Sequence, residues 1–149
     1  MRLEKLKIYL AGKMSGLSFE ESDEWRRDFK RIFKKEMNYD TMHYTIINPN
    51  DYYNFKNPSH QNEREVMQYD LNHIRNSDII VVNLDGINTS IGTAIELYTA
   101  AQLNIPILAL GTSEKWKNTH PWLKECISRV ESDIKELCEY IRLYYFNIE

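Results

Sequence analysis

Residues 78–84 (DIIVVNL) limit the fold of this chain more than any other stretch. Ile79, Ile80, Val81 and Val82 follow one another without a polar face, the pattern of a strand buried on both sides. Such strands belong to parallel sheets covered by helices on both faces. Shorter runs of the same kind stand at residues 6–11 (LKIYLA), stopped by Gly12, at 43–48 (HYTIIN), closed by Pro49, and at 105–110 (IPILAL).

Helical signals fill the gaps between these runs. Ser18 and Glu21 form an S-x-x-E capping box that opens a helix. Phe19, Trp25, Phe29, Ile32 and Phe33 mark its buried side, and the pattern fades near Lys35. A loop rich in Asn and Tyr spans 50–61, a helix 63–75, the loop DGINTSIG 85–92, and a helix 93–103. A short helical piece at 120–124, a strand at 127–130 and a last helix at 133–146 complete the chain, with Asp133 and Glu136 as an Asp version of the capping box. Strand and helix in alternation predict a single α/β domain over 1–149: a five-stranded parallel sheet in a flavodoxin-like, Rossmann-like three-layer sandwich, strand order 2-1-3-4-5. In such sheets ligands bind beyond the carboxyl ends of the strands, at the switch point between strands 1 and 3. The loops at 12–17 and 85–92 are therefore where function is expected.

The 149 residues match one ordinary domain, which buries roughly 70% of its unfolded surface. With 19 basic and 22 acidic residues the chain is mildly acidic, and nothing in it favours a nucleic-acid or anionic-membrane surface. The one basic cluster, Arg26, Arg27, Lys30, Arg31, Lys34 and Lys35, reads as a solvated helix face. Cys126 and Cys138 lack metal or redox spacing and are expected as core residues in a reducing compartment. His43, His60, His73 and His120 are scattered without a ligand-pair pattern, so no metal site is expected. No apolar run approaches a membrane span, and no signal-peptide pattern opens the chain, so the expected location is the cytoplasm.

Two carboxylates break the local rules. Between Asp85 and Glu114 the only charged residue is Glu96, among Ala94, Ile95, Leu97, Tyr98, Ala100, Ala101 and Leu103. A helix apolar nearly all round is expected to be buried, and a charge there costs several kcal/mol unless it is paired or faces a cavity. Buried carboxylates cluster at active sites, although a structural ion pair would also account for one. Asp70 stands on the stripe formed by Met67, Leu71 and Ile74, where it is either a core carboxylate capping a loop or a second functional acid. Two carboxylates converging on one cleft suit glycosidic chemistry, one attacking the anomeric carbon and one assisting the leaving group. The loop before Glu96 brings Ser90, Gly92 and Thr93 to a helix N-terminus, where unsatisfied N–H groups favour an anion. The loop GKMSG adds Lys13 and Ser15 between Gly12 and Gly16. Neither loop matches a Walker A or G-x-G-x-x-G pattern, and turn chemistry alone would also explain the glycines.

In order and spacing, KIYLAG (from Lys7), YDLNHIRNSDIIVV, GTAIEL and the PIL strand (to Leu110) resemble the nucleoside 2-deoxyribosyltransferases and the related deoxynucleoside 5'-monophosphate N-glycosidases. The resemblance implies Glu96 as the nucleophile and Asp70 as the acid near the leaving base. It implies Tyr9 as the residue that orients the nucleophile, and Gly12 and Lys13 as lining for the sugar or phosphate. Ser90 falls where transferases acting on free nucleosides tend to carry an aspartate, and where the monophosphate hydrolases carry serine. Serine at a helix N-terminus donates to a phosphate that an aspartate would repel. The resemblance also implies double displacement without a cofactor, a small nucleoside or nucleotide as substrate, and a homodimer or higher homo-oligomer. The aromatic tail at 140–146 (YIRLYYF) suits either an interface or the core. Two rival readings stay open on the residues alone: a module that binds a nucleotide without turning it over, and an interaction protein with a vestigial site.

Overall fold

The computed structural model describes residues 5–37 and 43–147. Strands β1 (Lys5–Ala11), β2 (His43–Ile47), β3 (Ile79–Asn83), β4 (Ile107–Leu110) and β5 (Arg129–Glu131) form one all-parallel sheet in the expected order β2-β1-β3-β4-β5. Helices α1 (Phe19–Glu36) and α6 (Ile134–Tyr144) cover one face. Helices α2 (Glu63–Arg75), α3 (Ile91–Gln102), α4 (Ser113–Asn118) and α5 (Pro121–Cys126) cover the other.

The two-residue strand period assigns each side chain to a face. Leu6, Ile8 and Leu10 of β1 join Ile79 and Val81 of β3 under α1 and α6. Tyr9 and Ala11 join Ile80 and Val82 under α2 and α3. All nine are at most 1% exposed, and burying each of the large aliphatic ones stabilises the fold by about 2 kcal/mol. A one-residue register slip would exchange the two sets and turn Tyr9 away from α3.

Helix α1 starts as expected: Ser18 Oγ accepts from the Glu21 N–H at 3.1 Å, and Glu21 Oε1 accepts from the Ser18 N–H at 3.0 Å. Two readings of its faces need correction. Phe19 is 54% exposed and meets Phe55 of the loop after β2 edge-on, with ring centroids 5.9 Å apart. Arg26 does not belong to the solvated face of its basic neighbours; it is 1% exposed. Its spacing from Ser22, Phe29 and Phe33, all buried, puts it on the stripe that packs against the sheet.

Helix α3 begins at Ile91 rather than 93 and is not buried all round. Thr93, Leu97 and Ala100 face the protein, but Ile91, Ile95 and Tyr98 are 79%, 42% and 61% exposed. An apolar side chain reads the same in sequence whether its own core or another molecule covers it. At α6, Asp133 caps by accepting from the Lys135 N–H at 3.0 Å instead of forming a box with Glu136. In the aromatic tail, Ile141 and Phe146 belong to the core while Leu143 and Tyr144 are exposed. Cys138 is buried and Cys126 half-buried, both as free thiols. No helix among the described residues is long and apolar enough to cross a membrane.

Candidate active site

A cleft of about 550 Å³ opens beyond the carboxyl ends of β1 and β3, within the size range of small-molecule sites. The loop after β1 supplies Gly12, Met14 and Ser15; α2 supplies Arg64, Met67, Asp70 and Leu71; α3 and the residue that precedes it supply Ser90, Gly92, Thr93 and Glu96. Asp70 and Glu96, the two anomalous carboxylates, thus share one cleft. The stripe that carries Asp70 lines this cleft and is not a core stripe: Met67 is 46% exposed, and only Ile74 is fully buried.

Each carboxylate is held by phenols. Tyr9, placed under α3 by the parity of β1, donates to Glu96 Oε2 at 2.5 Å. Asp70 Oδ1 accepts from Tyr52 and, at 2.9 Å, from Tyr53. Burial pushes the Glu96 carboxyl up to about 8; the Tyr9 phenol and the Arg26 guanidinium oppose the rise, and the Asp70 charge adds to it. Burial raises Asp70 as well, against the two phenols, His73 and Arg26. Tyr9 and Tyr52 are themselves pushed well above the ordinary phenol range, first by burial and then by the carboxylates beside them. His73 stacks on Tyr52 at 4.6 Å, and its buried Nε2 has no hydrogen-bond partner among the described residues.

The tyrosines stand on a loop that is pinned from behind. Asp23 Oδ1, buried on α1, accepts from Asn48 Nδ2 at 2.8 Å and Asn50 Nδ2 at 3.0 Å, and Asn48 Oδ1 accepts from the Asn50 N–H. Arg26 fixes the other wall. Its Nε donates to the Leu10 carbonyl at 3.3 Å, its Nη2 to the Gly12 carbonyl at 3.2 Å, and its Nη1 to that of Ser22. Gly12 packs closely there: a Cβ would lie 3.1 Å from the Trp25 ring and 3.4 Å from Arg26, so a larger residue would require the Trp25 ring to give way by a few tenths of an ångström.

Ser90 is the N-cap of α3. Its Oγ accepts from the Thr93 N–H at 3.4 Å and lies 2.7 Å from Thr93 Oγ1. Gly92 faces open space, and the first turn of α3 carries no acidic side chain. Lys13 does not line the cleft; its Nζ donates to Thr89 Oγ1 at 2.8 Å, next to Ser90. Among the described residues, Arg64 is the one basic residue that lines the cleft. No group of His, Cys, Asp and Glu among the described residues is arranged to hold a metal ion. Tyr52, Tyr53, Arg26 and Arg64 were not singled out by sequence; for Arg26 the signal lay in its spacing from Phe29 and Phe33.

The model of one family, nucleoside 2-deoxyribosyltransferase, matches residues 8–134. The chain belongs to that family. It is accordingly an enzyme of the N-glycosidic bond, acting on small nucleoside-type substrates. Solved structures agree on the fold. A conserved protein from Enterococcus faecalis V583 superposes with a TM-score of 0.68 at 20% identity, over 93% of this chain and 98% of the other. A 2-deoxyribosyltransferase from Bacillus psychrosaccharolyticus gives 0.66 at 20% identity, over 90% and 91%. A Clostridium botulinum CMP N-glycosidase gives 0.56 at 18% identity, over 93% and 98%. No curated protein matches the chain.

Proposed function

We propose that this enzyme cleaves or transfers the N-glycosidic bond of a 2'-deoxynucleoside or its 5'-monophosphate through a covalent glycosyl–Glu96 intermediate. One observation carries the assignment of residues: Glu96 and Asp70 line the same cleft, each held by a phenol from another element. Glu96, oriented by Tyr9, attacks C1' through an oxocarbenium-like transition state while Asp70 protonates the departing base. A second base or water then releases the sugar, with Asp70 taking back the proton. No cofactor enters these steps.

The sugar lies against Gly12 and the start of α3, with its 5' end toward Ser90 and Gly92. Lys13, tied to Thr89, supports that end from the loop after β1. A 5'-phosphate is favoured over a bare hydroxyl by the acid-free first turn of α3 and by Arg64 on the same cleft. The exposed Ile91, Ile95 and Tyr98 beside the cleft support a homodimer or higher homo-oligomer built on α3. The cytoplasm is the working location in this reading.

The test is to incubate the protein with deoxynucleosides and deoxynucleotides, with and without a second base, and to separate the products. Mass spectrometry of rapidly quenched protein is expected to find a deoxyribosyl adduct on Glu96. E96A is expected to lose at least about two orders of magnitude in turnover, about 3 kcal/mol in the barrier. Near wild-type turnover in E96A would remove Glu96 as nucleophile, and tight binding with intact substrate would favour a binding module.

A further inference from the structure

The two oxygens of Asp70 are held unequally. Oδ1 accepts from the Tyr52 hydroxyl and, at 2.9 Å, from the Tyr53 hydroxyl, whereas Oδ2 accepts from no group among the described residues. Asp70 lines the cleft but neither tyrosine does; both line a separate surface hollow with Phe19 and Phe55. The phenols therefore reach Asp70 from outside the cleft, and Oδ2 is the oxygen left for whatever the cleft holds. Tyr69 and His73, on α2 either side of Asp70, pack on the Tyr52 ring with centroids 5.0 and 4.6 Å away. The loop behind the tyrosines has one buried charge as its anchor. The turn Pro49–Asp51, which delivers Tyr52, is tied through Asn48 and Asn50 to Asp23 Oδ1 at 2.8 and 3.0 Å.

Counting lone pairs decides what this asymmetry does. Each carboxyl oxygen offers two acceptor sites. Two O–H donors fill both on Oδ1, so a proton that Asp70 takes up has its place on Oδ2. Tyr53 has a second acceptor, the Val66 carbonyl at 3.2 Å, and one hydrogen to divide between the two. An ionised carboxylate is the stronger acceptor, so that hydrogen goes to Oδ1 as charge develops on Asp70. The charge left when Oδ2 gives up its proton is then met on Oδ1 by both phenols.

Resting on the function proposed above, we propose that Tyr52 and Tyr53, anchored through Asn48 and Asn50 by Asp23, are positioning residues that hold Asp70 with Oδ1 turned to them and Oδ2 turned to the leaving base. In the first step C1' bonds Glu96 as the bond from C1' to the base nitrogen breaks. The electrons of the broken bond stay with the base, which takes the proton from Oδ2. In the second step the attacking water or second base returns a proton to Oδ2. Both tyrosines keep their own protons throughout and act through Asp70. Without them either oxygen can take the proton and the carboxyl can turn about Cβ–Cγ, so the acid is aimed at the base for only part of the time.

Leaving groups that differ in their need for a proton separate this role from a merely structural one. The variants Y52F, Y53F, Y52F/Y53F, D23A, D23N, Y69F and D70N are compared with wild type by kcat/KM. The substrates are 2'-deoxyguanosine against 7-methyl-2'-deoxyguanosine, and deoxyuridine against its 5-nitro form, each also as the 5'-monophosphate. The 7-methylguanine base is already cationic and departs without a proton, and 5-nitrouracil departs readily as an anion. The double tyrosine variant is expected to lose about tenfold or more on guanine and uracil, with smaller losses in the single ones, and to stay within about twofold of wild type on the other two bases. D23A keeps both hydroxyls and is expected to discriminate as the double variant does. D23N, which keeps an oxygen for the two amides, is expected to fall between D23A and wild type. Y69F removes a hydroxyl from the same ring cluster and is expected to match wild type on every substrate. D70N gives the pattern of a missing acid, with its loss confined to guanine and uracil. If D70N shows that pattern and the double variant loses equally on all bases, loses nothing, or is matched by Y69F, the positioning role is overturned while the glycosidic function stands. Equal losses of D23A on all bases would overturn its part as anchor. If D70N itself loses equally on all bases, or the wild type is inert on every substrate, the functional reading falls and the positioning role with it.

Discussion

Arg26 Nη2 donates to the carbonyl of Gly12 at 3.2 Å, from a guanidinium that is 1% exposed beneath the floor of the cleft. Together with its bond to the Leu10 carbonyl, this brackets the end of β1, two positions on from Tyr9. R26M keeps the apolar bulk but takes the side-chain donor from the Leu10, Gly12 and Ser22 carbonyls, the last of which keeps its bond within α1. The expected cost is about 3 kcal/mol in urea unfolding, since each orphaned acceptor costs roughly 1–3 kcal/mol and some will recruit water. R26K keeps the charge without the fork and is expected to fall between. A wild-type midpoint in R26M would mean that the guanidinium only fills space.

Arg26 also marks where sequence reasoning stops. The sheet, its order and both carboxylates were legible because their signals are local. An apolar run marks β3, and a lone charge on an apolar stripe marks Glu96 and Asp70. Arg26 sits beside Arg27, Lys30 and Arg31, and composition masked the spacing that buries it. Tyr52 and Tyr53 were hidden for another reason. Their bonds to Asp70 reach across 18 and 17 positions from a loop whose shape depends on Asp23, Asn48 and Asn50. No periodicity encodes such a contact. The exposed face of α3 was misread because hydrophobicity does not say what covers it.

The pH dependence of activity follows from the last proton that the two carboxyls hold between them. Burial holds the Glu96 proton to about 8, so just below that pH the pair keeps one proton, and above it none. Without that proton Asp70 cannot act as acid, and kcat/KM is expected to fall as pH rises through about 8. A 7-methylguanine substrate, which needs no acid, should lack this alkaline limb. Rate profiles of both substrates from pH 5 to 10 check it; the same limb on both would separate the loss from Asp70.

Stability carries the same shift with the opposite reference. Unfolded Glu96 releases its proton near 4.5, whereas the folded protein holds it to about 8. Between these values the folded state binds more protons, so stability falls as pH rises, and the full cost is present above pH 8. E96Q does not titrate. It is expected to gain on wild type by up to about 1.4 kcal/mol per pH unit across that window, and to match it near pH 4. Thermal melts of both proteins at pH 4, 6 and 9 provide the comparison. A constant difference at all three would mean that folding does not shift the proton affinity of Glu96.

The last prediction concerns the 5' end of the substrate. Ser90 caps α3 through its own Oγ, which accepts from the Thr93 N–H, and its side chain lines the cleft. S90D can keep the cap, because aspartate is as good an N-cap as serine. The fold is therefore expected to survive, with a melting temperature close to wild type. What changes is the field at the helix start, where a fixed negative charge replaces a hydroxyl. A 5'-phosphate placed there would meet a like charge in a partly buried site, at a cost of a few kcal/mol. KM for a deoxynucleotide is expected to rise by about two orders of magnitude, while KM for the matching nucleoside changes little or falls. R64M is expected to weaken the nucleotide alone, since it removes a basic side chain from the cleft wall. If S90D treats nucleotide and nucleoside alike, the serine serves only as a cap and the phosphate does not sit at the head of α3. If the wild type already prefers the nucleoside, the enzyme is a deoxyribosyltransferase whose 5' subsite is made for a hydroxyl.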